Sequence, residues 1–344
     1  MINNRNYGCR ITDDITIKGL KSVVMENEKL RITILVDKGT DVYEFLYKPL
    51  DIDFMWRSPF ALKNPFVFIS NTGNENMTFF DRYEGGWQEI LPNGGPACEY
   101  KGALIGQHGE ISNIPWRYMI QEDTPEMISI KFYTEAIRTP FFIEKTLTLK
   151  ANDPTLYIDE TLVNEAEEDM DLMWGHHPAI GAPFLSEDCI IKTSARKVIV
   201  NDEFDFENQR LKPSTIHNWP FVESLKDGII DLSKVPSKDS KTADMLYLTD
   251  FNDKALYEIY NEKIDIGFGM EWDKELFKYL WMWQVSKGSY GYPWYGRIYT
   301  LALEPWTSYP SSGLTTAVKN GSALKLSTGE KITTSLKVFI HEKN

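Results

Sequence analysis

Cysteine is scarce in this chain. Three occur in 344 residues, Cys9, Cys98 and Cys189, far apart and without a CxxC pair. That count and spacing argue against a disulfide scaffold or a thiolate zinc site and predict buried, reduced thiols. Long apolar runs are missing too. No stretch reaches about 18 apolar residues, which excludes a membrane-spanning helix. Met1-Ile2-Asn3-Asn4-Arg5-Asn6 offers no apolar signal-peptide core, so a cytoplasmic location is the expectation. Positive charge is in deficit: Lys plus Arg total 37 against 50 for Asp plus Glu, a net charge of −13. No Lys/Arg cluster stands out. Nucleic acids are bound through a cationic footprint, and an acidic surface repels them and anionic membranes alike. A neutral small molecule is the ligand that this charge fits.

Nucleotide and cofactor motifs are absent. There is no GxGxxG between a strand and a helix, no GxxxxGK[ST] loop and no GxSxG elbow. Cofactor-dependent redox chemistry and nucleotide hydrolysis therefore find no support, and no cofactor is expected. Sustained helical periodicity is missing as well, which disfavours a parallel α/β fold.

What is present is a core-forming composition, 42% hydrophobic and 25% charged. Aromatics make up 13%, with ten Trp. Several stand beside glycines and polar residues, as in Gly85-Gly86-Trp87-Gln88 and Trp281-Met282-Trp283-Gln284. Sheet packing accounts for most such residues; stacking against the C–H faces of a sugar would use the same ones. Strand signals dominate. Leu30–Val36 alternates and is β-branched, and Asp37-Lys38-Gly39 follows as a turn. Ile143, Leu147 and Leu149 share one face, Asn152-Asp153-Pro154 turns the chain, and Leu156, Ile158 and Leu162 share a face of the next strand. Further strands are expected over 127–133, 246–248, 256–260, 264–270, 279–285, 298–303 and 336–340. Only Asp273–Phe277 suggests a helical turn or two. The pattern predicts an all-β fold of large antiparallel sheets in a sandwich. One domain over 1–344 is expected, with a loop-rich insertion at about 201–245, where Pro213, Pro220 and Pro236 fall.

Five histidines occur. His341 lies near the C-terminus and His217 in the polar stretch. His108 sits in Gly106-Gln107-His108-Gly109-Glu110, and His176 and His177 in Trp174-Gly175-His176-His177-Pro178. Neighbours on an extended chain point to opposite faces, so one of His176 and His177 at most faces a given pocket. Metal ligation lacks a compact His-x-His or HExxH spacing, and no metal site is expected. Glu304 closes the apolar run Thr300-Leu301-Ala302-Leu303. A carboxyl desolvated there would hold its proton more tightly, which suits acid–base work near neutral pH.

Together these segments resemble the galactose-mutarotase-like superfamily, the aldose 1-epimerases, and most nearly its poorly characterised branch. The resemblance rests on His108-Gly109 with Pro115-Trp116, on Gly175-His176-His177-Pro178-Ala179, and on Leu303-Glu304-Pro305-Trp306, in that order. It implies a β-supersandwich and an isomerase that interconverts sugar anomers. By the resemblance Glu304 is the general base, His177 the general acid, with His176 as the fallback, and His108 a holder of the substrate near the ring oxygen. Arg82 matches the family's substrate-binding arginine loosely. Trp283 and Gln284 stand in for a missing substrate-binding aspartate, and Trp87, Gln88 and Asn93 are expected on the pocket's other wall. The partner implied is a small sugar. A non-catalytic sugar-binding protein and an enzyme for an acidic or phosphorylated sugar remain the alternatives. Oligomeric state is left open, a homodimer being one option.

Overall fold

The alternation over Phe141–Lys150 and Thr155–Asn164 becomes an antiparallel hairpin in which Leu147 faces Ile158 and Ile143 faces Leu162. Every second residue is buried: Phe141, Ile143, Lys145, Leu147 and Leu149 on one strand, Leu156, Ile158, Glu160, Leu162 and Asn164 on the other. Each fully buried aliphatic side chain favours this arrangement by about 1.5–3 kcal/mol over exposure. Two charged residues, Lys145 and Glu160, interrupt the apolar rows and stand directly opposite one another.

This computed structural model describes residues 5–67, 75–200 and 208–342. The hairpin belongs to an eight-stranded antiparallel sheet that runs from Cys189–Thr193 at one edge to Arg117–Asp123 at the other. A twelve-stranded sheet covers its inner face, and the two share one core that reaches from Cys9 to Ile340. The expected antiparallel sandwich is the architecture observed. In the larger sheet the strands Asp41–Tyr47, Trp87–Ile90, Gly175–Ile180, Tyr299–Trp306, Tyr279–Ser286 and Thr242–Phe251 are neighbours in that order. No helix among the described residues is long and apolar enough to cross a membrane.

Two short helices, Glu75–Phe80 and Leu314–Asn320, had no sequence signal, each being too short to show a helical period. The second ends where Gly321 turns left-handed and its N–H caps the carbonyls of Ala317 and Val318. Asp273–Phe277 forms a single turn, closed by the Phe277 N–H on the Asp273 carbonyl at 2.9 Å. Residues 201–207 of the proposed insertion lie outside the described residues. The rest of that stretch carries three short strands, Thr215–Asn218, Phe221–Glu223 and Ile229–Asp231, and buries Leu211, Val222, Leu232 and Val235 in the shared core.

Candidate active site

Antiparallel register decides which side chains meet. His177 lies opposite Gln88, Ala179 opposite Ala302, and Glu304 opposite Trp281. Opposed residues share a sheet face, and the two-residue period adds Trp283 and Trp306 to it. This face carries an apolar cluster of its own, with Tyr83, Trp281, Trp294 and Trp306, to which the eight-stranded sheet contributes nothing. The loops over it enclose a cavity of about 290 Å³. That volume is at the small end of small-molecule pockets, which span roughly 300–1,000 Å³, and suits a single sugar ring.

Glu304 and His177 lie side by side on the cavity wall, Oε1 to Nε2 at 3.6 Å. Both are buried, 2% and 5% exposed. Burial pushes the Glu304 carboxyl up to about 8, against the pull of a hydrogen bond that Trp306 Nε1–H donates to Oε2 at 3.0 Å. Burial pushes His177 down to about 4. Between those values the pair holds one proton, on the carboxyl. The attraction between the ionised forms works against that placement. Shifting the proton to His177 costs about 5 kcal/mol by the two pKa values. Coulomb attraction at 3.6 Å offsets about 4–5 kcal/mol at an effective dielectric of ~20. The attraction thus offsets much of that cost and brings the carboxylate–imidazolium placement within reach.

Other groups hold this pair in place. The Tyr83 hydroxyl lies 3.4 Å from His177 Nδ1 and stays neutral, its pKa raised by burial and by Glu304. The Trp306 ring stacks on Trp281 at 4.0 Å and 14°. Gly175 is what lets it lie there: a Cβ at that position would stand 2.2 Å from the indole. His108 adopts a left-handed backbone, φ 55°, in the loop over the cavity. Its Nδ1 accepts the Gly95 N–H at 3.2 Å, which leaves the proton of the neutral ring on Nε2. Burial and the neighbouring His177 hold His108 well below its usual pKa.

Of the residues singled out in the sequence, Glu304, His177, His108 and Trp283 line this cavity together. The others do not, and each has a physical reason. His176 points through the sheet into the core, where its Nε2 meets Glu160 Oε2 at 3.2 Å. Trp87 lies on that same inner side, edge-on to His176 at 5.7 Å. Gln284 is turned to the inner side as well and accepts a hydrogen bond from Arg210 at 3.2 Å. Gln88 shares the face of His177, but its amide is drawn to Asp41 at 3.1 Å and to the Gly85 carbonyl at 2.7 Å. Asn93 is a staple: its amide donates to the Pro96 and Gly106 carbonyls and its oxygen accepts the Leu314 N–H. Arg82 does not line the cavity and has no ion-pair partner among the described residues. The carboxylates beside it are engaged elsewhere, Asp81 by the Tyr292 hydroxyl at 3.0 Å and Glu84 by Lys38 at 2.8 Å. His341, expected in solvent, pairs with Glu258 at 2.5 Å.

Sequence reasoning missed Phe79, Tyr83, Gln107, Met245, Trp281 and Trp294 on the cavity wall. Trp281 was within reach, because it stands two residues from Trp283 on one strand. The rest come from the short helix Glu75–Phe80, from loops and from a neighbouring strand, which pattern alone does not bring together.

Among the described residues one group has the makings of a metal site: Glu89, Glu160 and His176, all buried. It lies in the inter-sheet core. Glu89 already accepts from Lys145 and from Trp174 Nε1, both at 2.9 Å, so the lysine supplies the cation there.

A family model described as Domain of unknown function (DUF4432) matches residues 17–340. No curated protein matches the chain. Among solved structures, a provisionally assigned aldose 1-epimerase of Klebsiella pneumoniae aligns with a TM-score of 0.74 at 17% identity, covering 97% of this chain and 83% of that one. A galactose mutarotase-like protein of Clostridium acetobutylicum aligns at 0.64 and 15% identity, over 98% and 99%. A galactose mutarotase related enzyme of Lactobacillus acidophilus aligns at 0.61 and 17% identity, over 93% and 97%. At such identities the likeness establishes the galactose-mutarotase-like fold.

Proposed function

The chain belongs to the family described as Domain of unknown function (DUF4432), and from that premise, which assigns no activity, we propose that it is an aldose 1-epimerase-like isomerase of free sugars. The observation that carries this reading is the Glu304–His177 pair. Two buried groups face one sugar-sized cavity at 3.6 Å, with their proton affinities displaced in opposite directions.

Anomer interconversion needs two proton transfers at one hemiacetal. Glu304 as carboxylate takes the proton of the anomeric hydroxyl. His177 as imidazolium gives its Nε2 proton to the ring oxygen as the C1–O5 bond breaks. The chain then carries an aldehyde, Glu304 is protonated and His177 is neutral. After rotation about C1–C2 the proton transfers reverse, and the ring closes on the other face of C1. The cycle requires that both proton placements be reachable, since each half-cycle moves the pair from one to the other. His108 Nε2–H points a donor at the same cavity and serves to hold the ring. Trp283 offers a flat face to its C–H bonds.

A sugar-binding protein without catalysis would use the same walls. It would have no need of a carboxyl held near 8 beside an imidazole held near 4, and that pair favours the enzyme. The test is anomer exchange measured by NMR over a panel of aldoses with the wild type, Glu304→Gln and His177→Asn. Acceleration by the wild type and loss in both variants is expected. Variants that match the wild type on its best sugar would refute the mechanism.

A further inference from the structure

The hydrogen-bonding capacity of the cavity falls short of what a fully hydroxylated hexose would bring into it. This inference rests on the reading of the site as a sugar isomerase. Glu304 Oε1 and His177 Nε2 are then committed to the anomeric hydroxyl and the ring oxygen. A hexopyranose has four further hydroxyls, and each arrives as a donor in need of an acceptor.

The wall is poor in acceptors. The Ser311 hydroxyl already shares one hydrogen bond with the Tyr247 hydroxyl at 2.9 Å, which leaves it a single further acceptor position if Tyr247 donates. Tyr83 lies against His177 Nδ1. His108 has spent its acceptor nitrogen on Gly95 and offers a donor. Trp281 Nε1–H is taken by the Ser308 carbonyl at 2.9 Å, and the indoles of Trp283 and Trp294 are donors by nature. Among the described residues Gln107 is the one amide side chain on the wall. Phe79, Phe80, Pro96 and Met245 make up much of the rest. Among the described residues no lysine or arginine lines the cavity, while Glu304 does.

We propose that the substrates of this site are neutral deoxy aldoses, rings in which hydrogen or methyl replaces one or more hydroxyls. A hydroxyl buried without a partner costs about 1–3 kcal/mol, and the same position filled by methyl gains contact with the apolar wall. That difference amounts to about tenfold or more in kcat/KM for each such hydroxyl. Phosphorylated and uronic sugars meet a wall with a carboxyl and no cation, and they fall behind both.

The experiment compares matched pairs on the full chain. These are D-galactose with 6-deoxy-D-galactose, L-mannose with 6-deoxy-L-mannose, and D-glucose with its 6-deoxy and 2-deoxy forms, alongside glucose 6-phosphate and glucuronate. Anomer exchange is read by NMR, and binding by quenching of tryptophan fluorescence. A deoxy member at least tenfold better than its parent in one or more pairs, with the charged sugars poorest, supports the proposal. Parents equal to or better than every deoxy partner overturn it, and leave the isomerase reading standing. Deoxy sugars that bind tighter than their parents without any exchange would remove the isomerase reading, and with it deoxy aldoses as substrates, and leave a binding site selective for them. Equal binding across all pairs with no exchange overturns both. Met245→Gln adds an acceptor to the wall, and narrowing of the deoxy-to-parent ratio in that variant is expected; an unchanged or wider ratio counts against the proposal.

Discussion

Replacing Glu304 by Gln should make the protein more stable, and increasingly so as pH rises. In the unfolded chain Glu304 ionises near 4.5, whereas in the fold burial holds its proton to about 8. As pH climbs through that window the unfolded state releases a proton that the folded state keeps, so the group's contribution to stability is full below 4.5 and is lost progressively towards 8. A tenfold difference in proton affinity is worth about 1.4 kcal/mol, which sets the loss at up to about 5 kcal/mol. Gln does not titrate. Its carbonyl keeps the hydrogen bond from Trp306, which in the wild type measures 3.0 Å, so packing is preserved. Urea denaturation of both proteins at pH 4.5, 6, 7 and 8.5 measures the difference directly. The variant's advantage should grow by several kcal/mol across the series and level off above about 8. An advantage that is flat with pH would mean that the carboxyl ionises in the fold as it does in water, and the tuning argued for Glu304 would be refuted.

The rate of anomer exchange should follow a bell in pH, because the pair works with one proton: His177 gains a second proton below about 4, and Glu304 loses the last above about 8. Steady-state exchange rates from pH 3.5 to 9.5 would show it, and a profile flat across both limbs would contradict it. Trp306→Phe removes the hydrogen bond that lowers Glu304, so the alkaline limb should move up and kcat fall about tenfold or more; an unmoved limb would show that the indole does not act on the carboxyl. Gly175→Ala drives a methyl against the Trp306 ring and should cost about 1–3 kcal/mol in urea denaturation, with a drop in kcat as Glu304 is displaced. Wild-type stability in that variant would mean that the ring moves aside freely.

Some of this site is legible in the chain and some is not, and particular residues show why. Strands with one buried face announce themselves, so the hairpin of Phe141–Lys150 and Thr155–Asn164 is readable, with Ile143, Leu147 and Leu149 buried on one strand and Leu156, Ile158 and Leu162 on the other, while the pairing of Leu147 with Ile158 is not. The same alternation warns that His176 and His177 part company, yet says nothing of which faces the cavity. That depends on register, and it is the pairing with Trp87–Ile90 and Tyr299–Trp306 that turns His177 towards Glu304 and His176 towards Glu160. Trp87 with Gln88 and Trp283 with Gln284 are split by the sheet in the same way. Asn93 carries a different lesson: a polar residue beside glycines in a site loop serves the loop's own carbonyls, since backbone groups shut away from water must find partners. Tyr83, Gln107 and Phe79 are contributed by segments outside the large sheet's strands, and no periodicity in the sequence points to them.

The central claim is that Glu304 and His177 act as one unit on one proton. Anomer exchange rates of Glu304→Gln, His177→Asn and the double variant, measured side by side on the best sugar, test it most directly. Groups that act together are not additive in their loss. Each single variant should therefore fall by about 10²–10⁴-fold, and the double variant should be no slower than the worse of the two. Losses that multiply in the double variant, or single variants as fast as the wild type, would contradict the account.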